Sequence, residues 1–194
     1  RYSIGEEPGR TFGIILGTGC GGGLVVNRQL IVGPNAITGE WGHNPLPGYD
    51  PALDGPSQPC YCGRDNCIER FVSGTGFAGR FVERHGRGLS PIGIITAAAE
   101  GDVEAEAHYD HFIQALARSV ASLINVLDPD VIVLGGGLSN IDRLYLDLPQ
   151  ALTPYLFSDR CITPMVPARY GDSSGVRGAA WLPSCVEGAT TWAI

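Results

Sequence analysis

The 194-residue sequence predicts an α/β fold in which helices cover a mixed β-sheet. Short apolar runs that open into glycine clusters are typical of buried strands. One long stretch has apolar residues at every third or fourth position, as an amphipathic helix requires. Strands, one hairpin and helices follow one another along the chain in an order that favours a mixed sheet.

The first predicted elements are strands. Residues 12–16 (FGIIL) predict a buried strand that ends in a glycine-rich loop, and 24–26 and 30–32 predict a hairpin around 27–29. Residues 33–67 are dense in Pro, Gly and Asp and too irregular for helices or strands. Loops of that length usually carry a function or are pinned by something.

The remainder of the chain predicts helices around one more buried strand, with serine and aspartate at helix starts and proline at helix ends. The first three helices are predicted over 68–83, with a break near 73–76, over 91–100, capped by Ser90, and from Asp102 until Pro129 ends the helix. A buried strand over 131–134 follows, and then a helix over 141–156, capped by Ser139 and Asn140, with a kink or break at Pro149. The last predicted elements are an edge strand over 162–166 and a helix over 175–181.

The composition excludes several classes of protein. A formal net charge of −7 argues against nucleic acid as the main partner. All 13 basic residues are arginine, so a Walker-type phosphate loop, which needs lysine, cannot form. No uninterrupted apolar stretch approaches the roughly 18–20 residues that span a bilayer, which predicts that the chain is not an integral membrane protein.

The strongest local signal is a group of cysteines near a histidine. Cys60, Cys62 and Cys67 lie within eight residues, and His43 precedes them in the same irregular segment. Three thiolates and one imidazole form a complete tetrahedral set for zinc, with no open position, so the ion would be structural. The alternative is three buried cysteines and an unrelated histidine. The clustering favours a metal over disulfides and predicts a reducing compartment, while the isolated cysteines, Cys20, Cys161 and Cys185, are predicted to be small core residues.

Two glycine clusters predict a nucleotide site. Residues 17–22 (GTGCGG) formally match G-x-G-x-x-G, but they lead into a strand rather than a helix, which excludes a dinucleotide-binding fold. Such a loop can still bring backbone N–H groups and the Thr18 hydroxyl to phosphate oxygens. Gly135–Gly137 follow a buried strand and form a second point of approach. The alternative is two tight turns that serve close backbone packing.

Two acidic residues flank the predicted metal site. Glu40 precedes His43 by three residues, and Glu69 follows Cys67 by two, so a metal that fixes this loop would hold both carboxylates close together. Paired carboxylates with an imidazole suit the adjacent hydroxyls of a polyol. The alternative is two solvated surface acids. The other histidines, His85, His108 and His111, lack such neighbours and are predicted at the surface.

Four motifs together resemble the ROK sugar kinases of the actin/hexokinase-like superfamily, and they are ILGTGCGGG (15–23), GEWGH (39–43), CYCGRDNCIE (60–69) and VIVLGGGLSN (131–140). The resemblance runs from about residue 12 to 182. Further stretches are most similar to the bacterial fructokinase (mannofructokinase) branch, namely GEWGHNPLP (39–47), VSGTGFA (72–78), NVLDPDVIVLGGGLSNIDRLY (125–145) and GDSSGVRGAAWL (171–182). N-acetylglucosamine kinases of the same family follow closely.

The resemblance implies an actin/hexokinase-like (ribonuclease H-like) lobe with a zinc-pinned loop over 38–69. It also implies ATP, Mg²⁺ and structural Zn²⁺ as cofactors, a cytoplasmic homodimer, and a hexose as substrate. For the sugar it assigns Glu40, His43 and Glu69. For the nucleotide it assigns Gly17, Thr18 and Gly19, with Gly21 and Gly22 of the same loop, and also Gly135, Gly136 and Gly137. For the metal it assigns His43, Cys60, Cys62 and Cys67.

The chain also departs from the family pattern. The D-x-G-x-T phosphate motif and the N-D-x-N-like segment with the catalytic aspartate are not in the sequence. No residue of this chain therefore matches the family's base, which a sugar hydroxyl needs to lose its proton. The chain is predicted to be a C-terminal lobe, inactive alone, of an ATP-dependent kinase that converts D-fructose to fructose 6-phosphate. The alternatives are an N-acetylglucosamine, mannose or glucose kinase, or a sugar-responsive repressor of the same family; a zinc-stabilised binding module is a further one.

Overall fold

A mixed sheet lies at the centre of the computed structural model, which describes residues 9–170. Its strands are β1 (Arg10–Leu16), β2 (Cys20–Val26), β3 (Gln29–Leu30), β4 (Val131–Gly135) and β5 (Met165–Pro167). They lie in the order β3-β2-β1-β4-β5. β1 pairs antiparallel with β2 and parallel with β4, and β5 forms a parallel edge, so the predicted mixed sheet is confirmed.

The glycine-rich stretch after β1 is mostly strand rather than loop. Only Gly17–Gly19 turn the chain, and Gly21 and Gly22 already pair with β1 inside β2. A Cβ atom on Gly22 would lie 2.7 Å from the carbonyl oxygen of Gly13, so close packing explains this glycine. The prediction of a loop over residues 17–22 was therefore wrong for its second half.

The helices are α1 (Pro51–Asp54), α2 (Glu69–Val72), α3 (Gly74–His85), α4 (Pro91–Ala99), α5 (Val103–Leu127) and α6 (Leu144–Leu152). Apart from α1, they follow the predicted order; α1 lies within residues 33–67, so the prediction that this segment holds no helix was wrong there. The capping residues predicted for α4 and α5 act as such, and the predicted break near 73–76 is where α3 starts. Ser73, Ser90 and Asp102 each accept hydrogen bonds from backbone N–H groups of the first turn that follows.

Helix α5 forms the middle of the core and contacts both α4 and α6. One face of it is fully buried, including Tyr109, Leu116 and Val120. Although α5 has 25 residues, no helix within the described range 9–170 is both long and apolar enough to cross a bilayer.

The region after β4 differs from its prediction. Residues 137–140 form a short 3₁₀ helix, in which the Ser139 hydroxyl donates to the carbonyl oxygen of Gly136 at 2.7 Å. That hydroxyl therefore caps no α-helix, and α6 begins only at Leu144. It continues through Pro149 and ends at Leu152, so of the kink or break predicted at this proline, the break does not occur.

Three isolated side chains test the predictions of burial. Cys20 is buried as predicted, whereas Cys161 is exposed. His108, predicted at the surface, is only 4% exposed, and its Nε2 atom lies 2.8 Å from the carbonyl oxygen of Phe77. The predicted last helix over 175–181 and Cys185 lie outside the described residues.

Candidate functional site

The structure brings the four predicted metal ligands together. The ligand atoms of His43, Cys60, Cys62 and Cys67 all lie within 4.8 Å of one another, and we call these residues the Cys/His cluster. The sulfurs of Cys62 and Cys67 are 3.5 Å apart, and Nδ1 of His43 lies 3.6 Å from the Cys60 sulfur. A zinc ion bonded to sulfur at about 2.3 Å and to nitrogen at about 2.0 Å sets edges of about 3.5–3.8 Å between its ligand atoms. These two distances match such edges, and the four ligand atoms, all within 4.8 Å of one another, can close around a tetrahedral zinc ion with shifts of about 1 Å or less.

Antiparallel pairing of two short segments places the histidine beside the last cysteine. Pro45 and Cys67 form an isolated bridge, in which Leu46 donates to Asn66 and Ile68 donates to Asn44. A second bridge, between Pro59 and Asp65, closes the turn that carries the other two cysteines. The ligands are thus positioned by backbone hydrogen bonds as well as by any ion.

Left-handed backbone lets this turn close on itself. Gly63 has φ +86° and Asn66 has φ +56°. The Asn66 side-chain oxygen accepts from the backbone N–H of Gln58 at 2.8 Å, which explains why a non-glycine residue is tolerated there. Arg64 donates to the carbonyl oxygen of His43 at 3.1 Å and ties the turn to the histidine segment.

The thiols of the cluster differ in acidity. A hydrogen bond from the backbone at Arg64 lowers the pKa of the Cys62 thiol to about 7. Burial raises the pKa of the Cys67 thiol to about 12. A divalent cation would stabilise both as thiolates, because the thiolate is the metal ligand.

The 38–69 loop packs directly against β2 through two glycines. A Cβ atom on Gly39 would lie 2.1 Å from the carbonyl oxygen of Gly22, and one on Gly42 would lie 2.1 Å from that of Cys20. Between these glycines, the buried Trp41 donates from Nε1 to the carbonyl oxygen of Gly21 at 3.0 Å. The G-E-W-G-H motif therefore anchors the loop to the sheet and holds Glu40 and His43 at its edge.

The two predicted sugar-binding carboxylates have different surroundings. Glu40 is exposed, whereas Glu69 starts α2 and accepts a hydrogen bond from the backbone N–H of Cys20 at 2.8 Å. The pKa of the Tyr61 hydroxyl is raised by local desolvation from its close neighbours and by the charges of Glu69, Cys60, Glu40 and Cys62. That hydroxyl lies 2.8 Å from Nε2 of His43, a neighbour that the sequence analysis did not identify.

A cleft of about 670 Å³ opens beside the Gly17–Gly19 turn. Its lining includes Gly17 and Thr18 on one side and Gly136 and Gly137 on the other, as predicted for a nucleotide site. Thr75, at the N-terminus of α3, and Ile92, at the start of α4, also line the cleft, and neither was predicted from the sequence. Capping serines before both helices were the available signal, because helix N-termini favour phosphate groups.

Not every predicted nucleotide residue reaches this cleft. Gly19, Gly21, Gly22 and Gly135 are not among the residues that line it. Gly21 and Gly22 are strand residues of β2, and a Cβ atom on Gly135 would lie 3.0 Å from the Ile15 side chain, so packing accounts for these positions. Their assignment to the nucleotide remains without support from the geometry.

Gly136 shows why this second glycine cluster is glycine-rich. Its φ is +83°, and a Cβ atom there would lie 2.6 Å from the carbonyl oxygen of Leu16. Only glycine lets the chain pass so close to the end of β1.

A second cavity, of about 700 Å³ and thus similar in size to the cleft, lies beside α1 and α5 and shares no lining residue with the cleft.

Comparison with known sequences identifies relatives over nearly the whole chain. The profile of the ROK family matches residues 6–185. An N-acetyl-D-glucosamine kinase of Yersinia pseudotuberculosis is 44% identical over 173 residues, which are 88% of this chain and 57% of the relative. The enzyme of the same name from Aliivibrio fischeri is 41% identical over 180 residues, 91% of this chain and 59% of the relative. The chain thus spans less than two thirds of the length of these relatives.

Solved structures share the fold. A ROK family glucokinase from Streptomyces griseus, in complex with glucose and AMPPNP, has a TM-score of 0.78 at 24% identity and covers 94% of this chain and 62% of its own. A ROK hexokinase from Thermus thermophilus has a TM-score of 0.77 at 26% identity, with 93% and 59% covered. A ROK family transcriptional regulator also matches, with a TM-score of 0.72 at 23% identity, over 92% and 46%. The predicted actin/hexokinase-like fold is confirmed.

Proposed function

This chain belongs to the ROK family, and on that premise we propose that it forms the C-terminal lobe of an ATP-dependent hexose kinase. One observation carries the proposal. The hydrogen bond between Glu69 and Cys20 joins the residues suited to a sugar to the turn suited to phosphate groups. Phosphoryl transfer requires these two substrates side by side, because the sugar hydroxyl attacks the terminal phosphate in line.

In the proposed site, Glu40, His43 and Glu69 bind hydroxyl groups of the sugar. Carboxylates accept hydrogen bonds from hydroxyls strongly, and an imidazole N–H donates to a hydroxyl oxygen. Nδ1 of His43 faces the Cys60 sulfur, which leaves Nε2 as the nitrogen for the sugar. Two acceptors and one donor can together fix the orientation of a hexose ring.

The cleft beside Gly17 and Thr18 takes the nucleotide in this proposal. The hydroxyl and backbone N–H of Thr18 and the N-terminus of α3, at Thr75, favour phosphate oxygens, whereas the N–H of Gly17 already donates to the carbonyl oxygen of Gly19 at 3.0 Å. Gly137 leaves open space on the opposite wall, where the nucleotide can approach the backbone. Mg²⁺ bound with ATP would offset charge on the phosphates as transfer proceeds.

The Cys/His cluster holds a structural zinc ion in the same proposal. His43, Cys60, Cys62 and Cys67 would bind it, and the ion would supply no reaction chemistry because four protein ligands leave it no open position. Its effect would be to stabilise the 38–69 loop, which carries Glu40 and His43. The catalytic base is proposed to belong to a part of the protein outside this chain, since the family's base motif does not occur in the sequence.

N-acetyl-D-glucosamine is the acceptor that the comparisons support, because the curated relatives at 39–44% identity carry that activity in their names. D-fructose, which the sequence motifs favoured, finds no support among these relatives. It stays as the second candidate on one observation, the similarity of residues 39–47, 72–78 and 125–145 to the fructokinase branch.

A ROK family transcriptional regulator shares the fold, so the architecture does not separate a regulator from a kinase. The intact Gly17–Gly19 turn and the open cleft beside it favour a kinase, since a regulator has no need to bind ATP.

An acceptor panel tests the proposal. The protein that contains this chain is assayed for ADP release with ATP, Mg²⁺ and, in turn, N-acetyl-D-glucosamine, D-fructose, D-mannose and D-glucose. We expect turnover with at least one sugar and the highest kcat/KM with N-acetyl-D-glucosamine. Highest kcat/KM with D-fructose would transfer the proposal to the second candidate. Sugar binding without any ATP binding would overturn the kinase and favour the regulator.

A further inference from the structure

Tyr61 occupies a special position within the Cys/His cluster. It stands between two ligands, Cys60 and Cys62, and its side chain is 83% exposed. Its hydroxyl oxygen nevertheless lies 2.8 Å from Nε2 of His43, and the two rings meet edge to face with centroids 5.0 Å apart. An exposed tyrosine is thus held over the histidine by a single hydrogen bond and one ring contact.

The atom that Tyr61 contacts is the one that the proposed sugar site needs. Nδ1 of His43 faces the Cys60 sulfur at 3.6 Å, so the neutral imidazole of a metal-bound cluster carries its hydrogen on Nε2. One N–H group donates a full hydrogen bond to one acceptor at a time. The Tyr61 hydroxyl and a sugar hydroxyl therefore cannot both accept a full hydrogen bond from Nε2–H of His43 at the same time.

We propose that Tyr61 is a gate of the sugar site, whose hydroxyl holds Nε2 of His43 in the sugar-free protein and swings away when a hexose binds. This inference rests on the proposed function. Tyr61 is a positioning residue in it, because it sets the availability of His43 and takes no part in the transfer itself.

The surroundings of Tyr61 support this role. The negative charges of Glu40 and Glu69, both proposed sugar ligands, act on its hydroxyl and help to raise its pKa. Zinc bound by the flanking cysteines would fix the backbone of Tyr61 on both sides, so any movement would be a rotation of the side chain. High exposure leaves room for that rotation, and surface side chains change rotamer within nanoseconds.

The decisive variant is Tyr61→Phe, which keeps the ring and removes only the hydroxyl. Tyr155→Phe is the matched control, because the Tyr155 hydroxyl also donates a single hydrogen bond, to Gln114 at 3.0 Å, but contacts no residue of the cluster. Both variants are compared with the wild type in the protein that contains this chain, loaded with zinc.

The first measurement needs no sugar. In ¹⁵N-edited NMR spectra, the Nε2–H signal of His43 should be protected from exchange in the wild type and in Tyr155→Phe, and exchange several times faster in Tyr61→Phe. The second measurement is calorimetric titration with the best sugar of the acceptor panel. The sugar no longer competes with a hydroxyl in Tyr61→Phe, so we expect its Kd and KM to fall about 2- to 10-fold, the equivalent of one net hydrogen bond, with kcat unchanged.

The outcomes separate the gate from the proposed function. If a sugar binds and Tyr61→Phe binds it equally well, or if its Nε2–H exchanges as in the wild type, the gate is wrong and the kinase stands. A weaker affinity in Tyr61→Phe would mean that the hydroxyl contacts the sugar, which also overturns the gate. If no sugar of the panel binds to the wild type, the proposed function fails, and the gate fails with it.

Discussion

The carboxylate of Glu69 accepts a hydrogen bond from the backbone N–H of Cys20, with 2.8 Å between Oε2 and the nitrogen. Glu69 follows the last cysteine of the Cys/His cluster, and Cys20 follows the Gly17–Gly19 turn. A second link lies close by, since the N–H of Gly74 donates to the carbonyl oxygen of Gly17 at 2.7 Å. The proposed sugar site and the proposed phosphate site therefore share hydrogen bonds and cannot move independently.

Substitutions of Glu69 should separate its structural role from its sugar-binding role. In Glu69→Gln the amide oxygen can still accept from Cys20, so we expect the free energy of unfolding to change by less than about 1 kcal/mol. Hydrogen bonds to a charged group contribute about 1.5–3 kcal/mol, so sugar affinity should fall about 10- to 100-fold. Glu69→Ala leaves the N–H of Cys20 unpaired and should cost about 1–3 kcal/mol of stability as well.

Urea denaturation and calorimetric sugar titration measure these two effects. Glu100→Gln is the matched control, because Glu100 is an exposed carboxylate at the C-terminal end of α4 and does not line the cleft. Unchanged sugar affinity in Glu69→Gln would show that this carboxylate serves the turn alone.

The Cys/His cluster predicts a defined metal content. The purified chain should contain about one equivalent of zinc by mass spectrometry of the metal. Cys62→Ser should lose it and lower the thermal midpoint by at least about 5 °C, since 1 kcal/mol corresponds to about 2–4 °C in a protein of this size. The exposed Cys161 lies outside the cluster, so Cys161→Ser should keep both the metal and the midpoint. Equal zinc in the two variants would contradict the assignment.

Neighbouring glycines after β4 should respond differently to alanine. Gly136 has φ +83° and would place a Cβ atom 2.6 Å from the carbonyl oxygen of Leu16, so Gly136→Ala should cost more than about 2 kcal/mol in urea denaturation. Gly137 has open space at the same position, so Gly137→Ala should change stability by less than about 1 kcal/mol. Similar losses in both variants would mean that the close approach of Gly136 to β1 is not what requires glycine.

Buried His108 predicts a loss of stability in acid. Burial, which the hydrogen bond to the Phe77 carbonyl opposes and the charges of Arg84, His85 and Arg80 reinforce, lowers the pKa of His108 from 6.5 to about 4. The unfolded chain therefore binds a proton between pH 6.5 and pH 4 that the folded chain does not. Folding stability falls as the pH drops through this window, by up to about 1.4 kcal/mol per pH unit for one proton.

The measurement is the free energy of unfolding at intervals between pH 7.5 and pH 4.5. His108→Gln should show a shallower decline than the wild type, because the titrating group is gone. His111→Gln removes an exposed histidine of the same helix and should follow the wild type. It serves as the control for the general effect of acid on carboxylates and on metal ligands, which all three proteins share. Parallel curves for all three proteins would contradict the assigned pKa.

Local signals in the sequence were sufficient for most helices. Ser90 and Asp102 were recognisable at helix starts because a short polar side chain before an apolar period satisfies the first N–H groups of a helix, whereas at Ser73, which caps α3, only a break near 73–76 was predicted. The same reasoning failed at Ser139, whose hydroxyl is taken by the carbonyl oxygen of Gly136 in a turn that follows the glycines. The residue type identifies a candidate helix cap in the sequence, but the path of the backbone decides which group its side chain hydrogen-bonds.

Burial of single side chains was predicted less well. His108 and His111 lie on the same helix and have similar neighbours in sequence, yet only His108 faces α3, where the Phe77 carbonyl offers a partner. Cys161 is an apolar residue type that ends in an exposed segment after α6. Which face of a helix or loop becomes buried depends on what packs against it, and residue type alone does not contain that information.

The sequence by itself determined the chemistry of the cluster, the family and the order of the elements, since ligand types, spacing and periodicity are properties of the chain. Only the tertiary structure decided which glycines line the cleft, that Glu69 reaches the N–H of Cys20, and that the Tyr61 hydroxyl takes Nε2 of His43. The physical reason is that the two hydrogen bonds join residues that are 18 and 49 positions apart in the sequence. For the glycines, one step of strand register decides which of them faces the cleft. These contacts are fixed by the docking of the 38–69 loop onto β2, where Gly39 and Gly42 allow backbone to approach backbone.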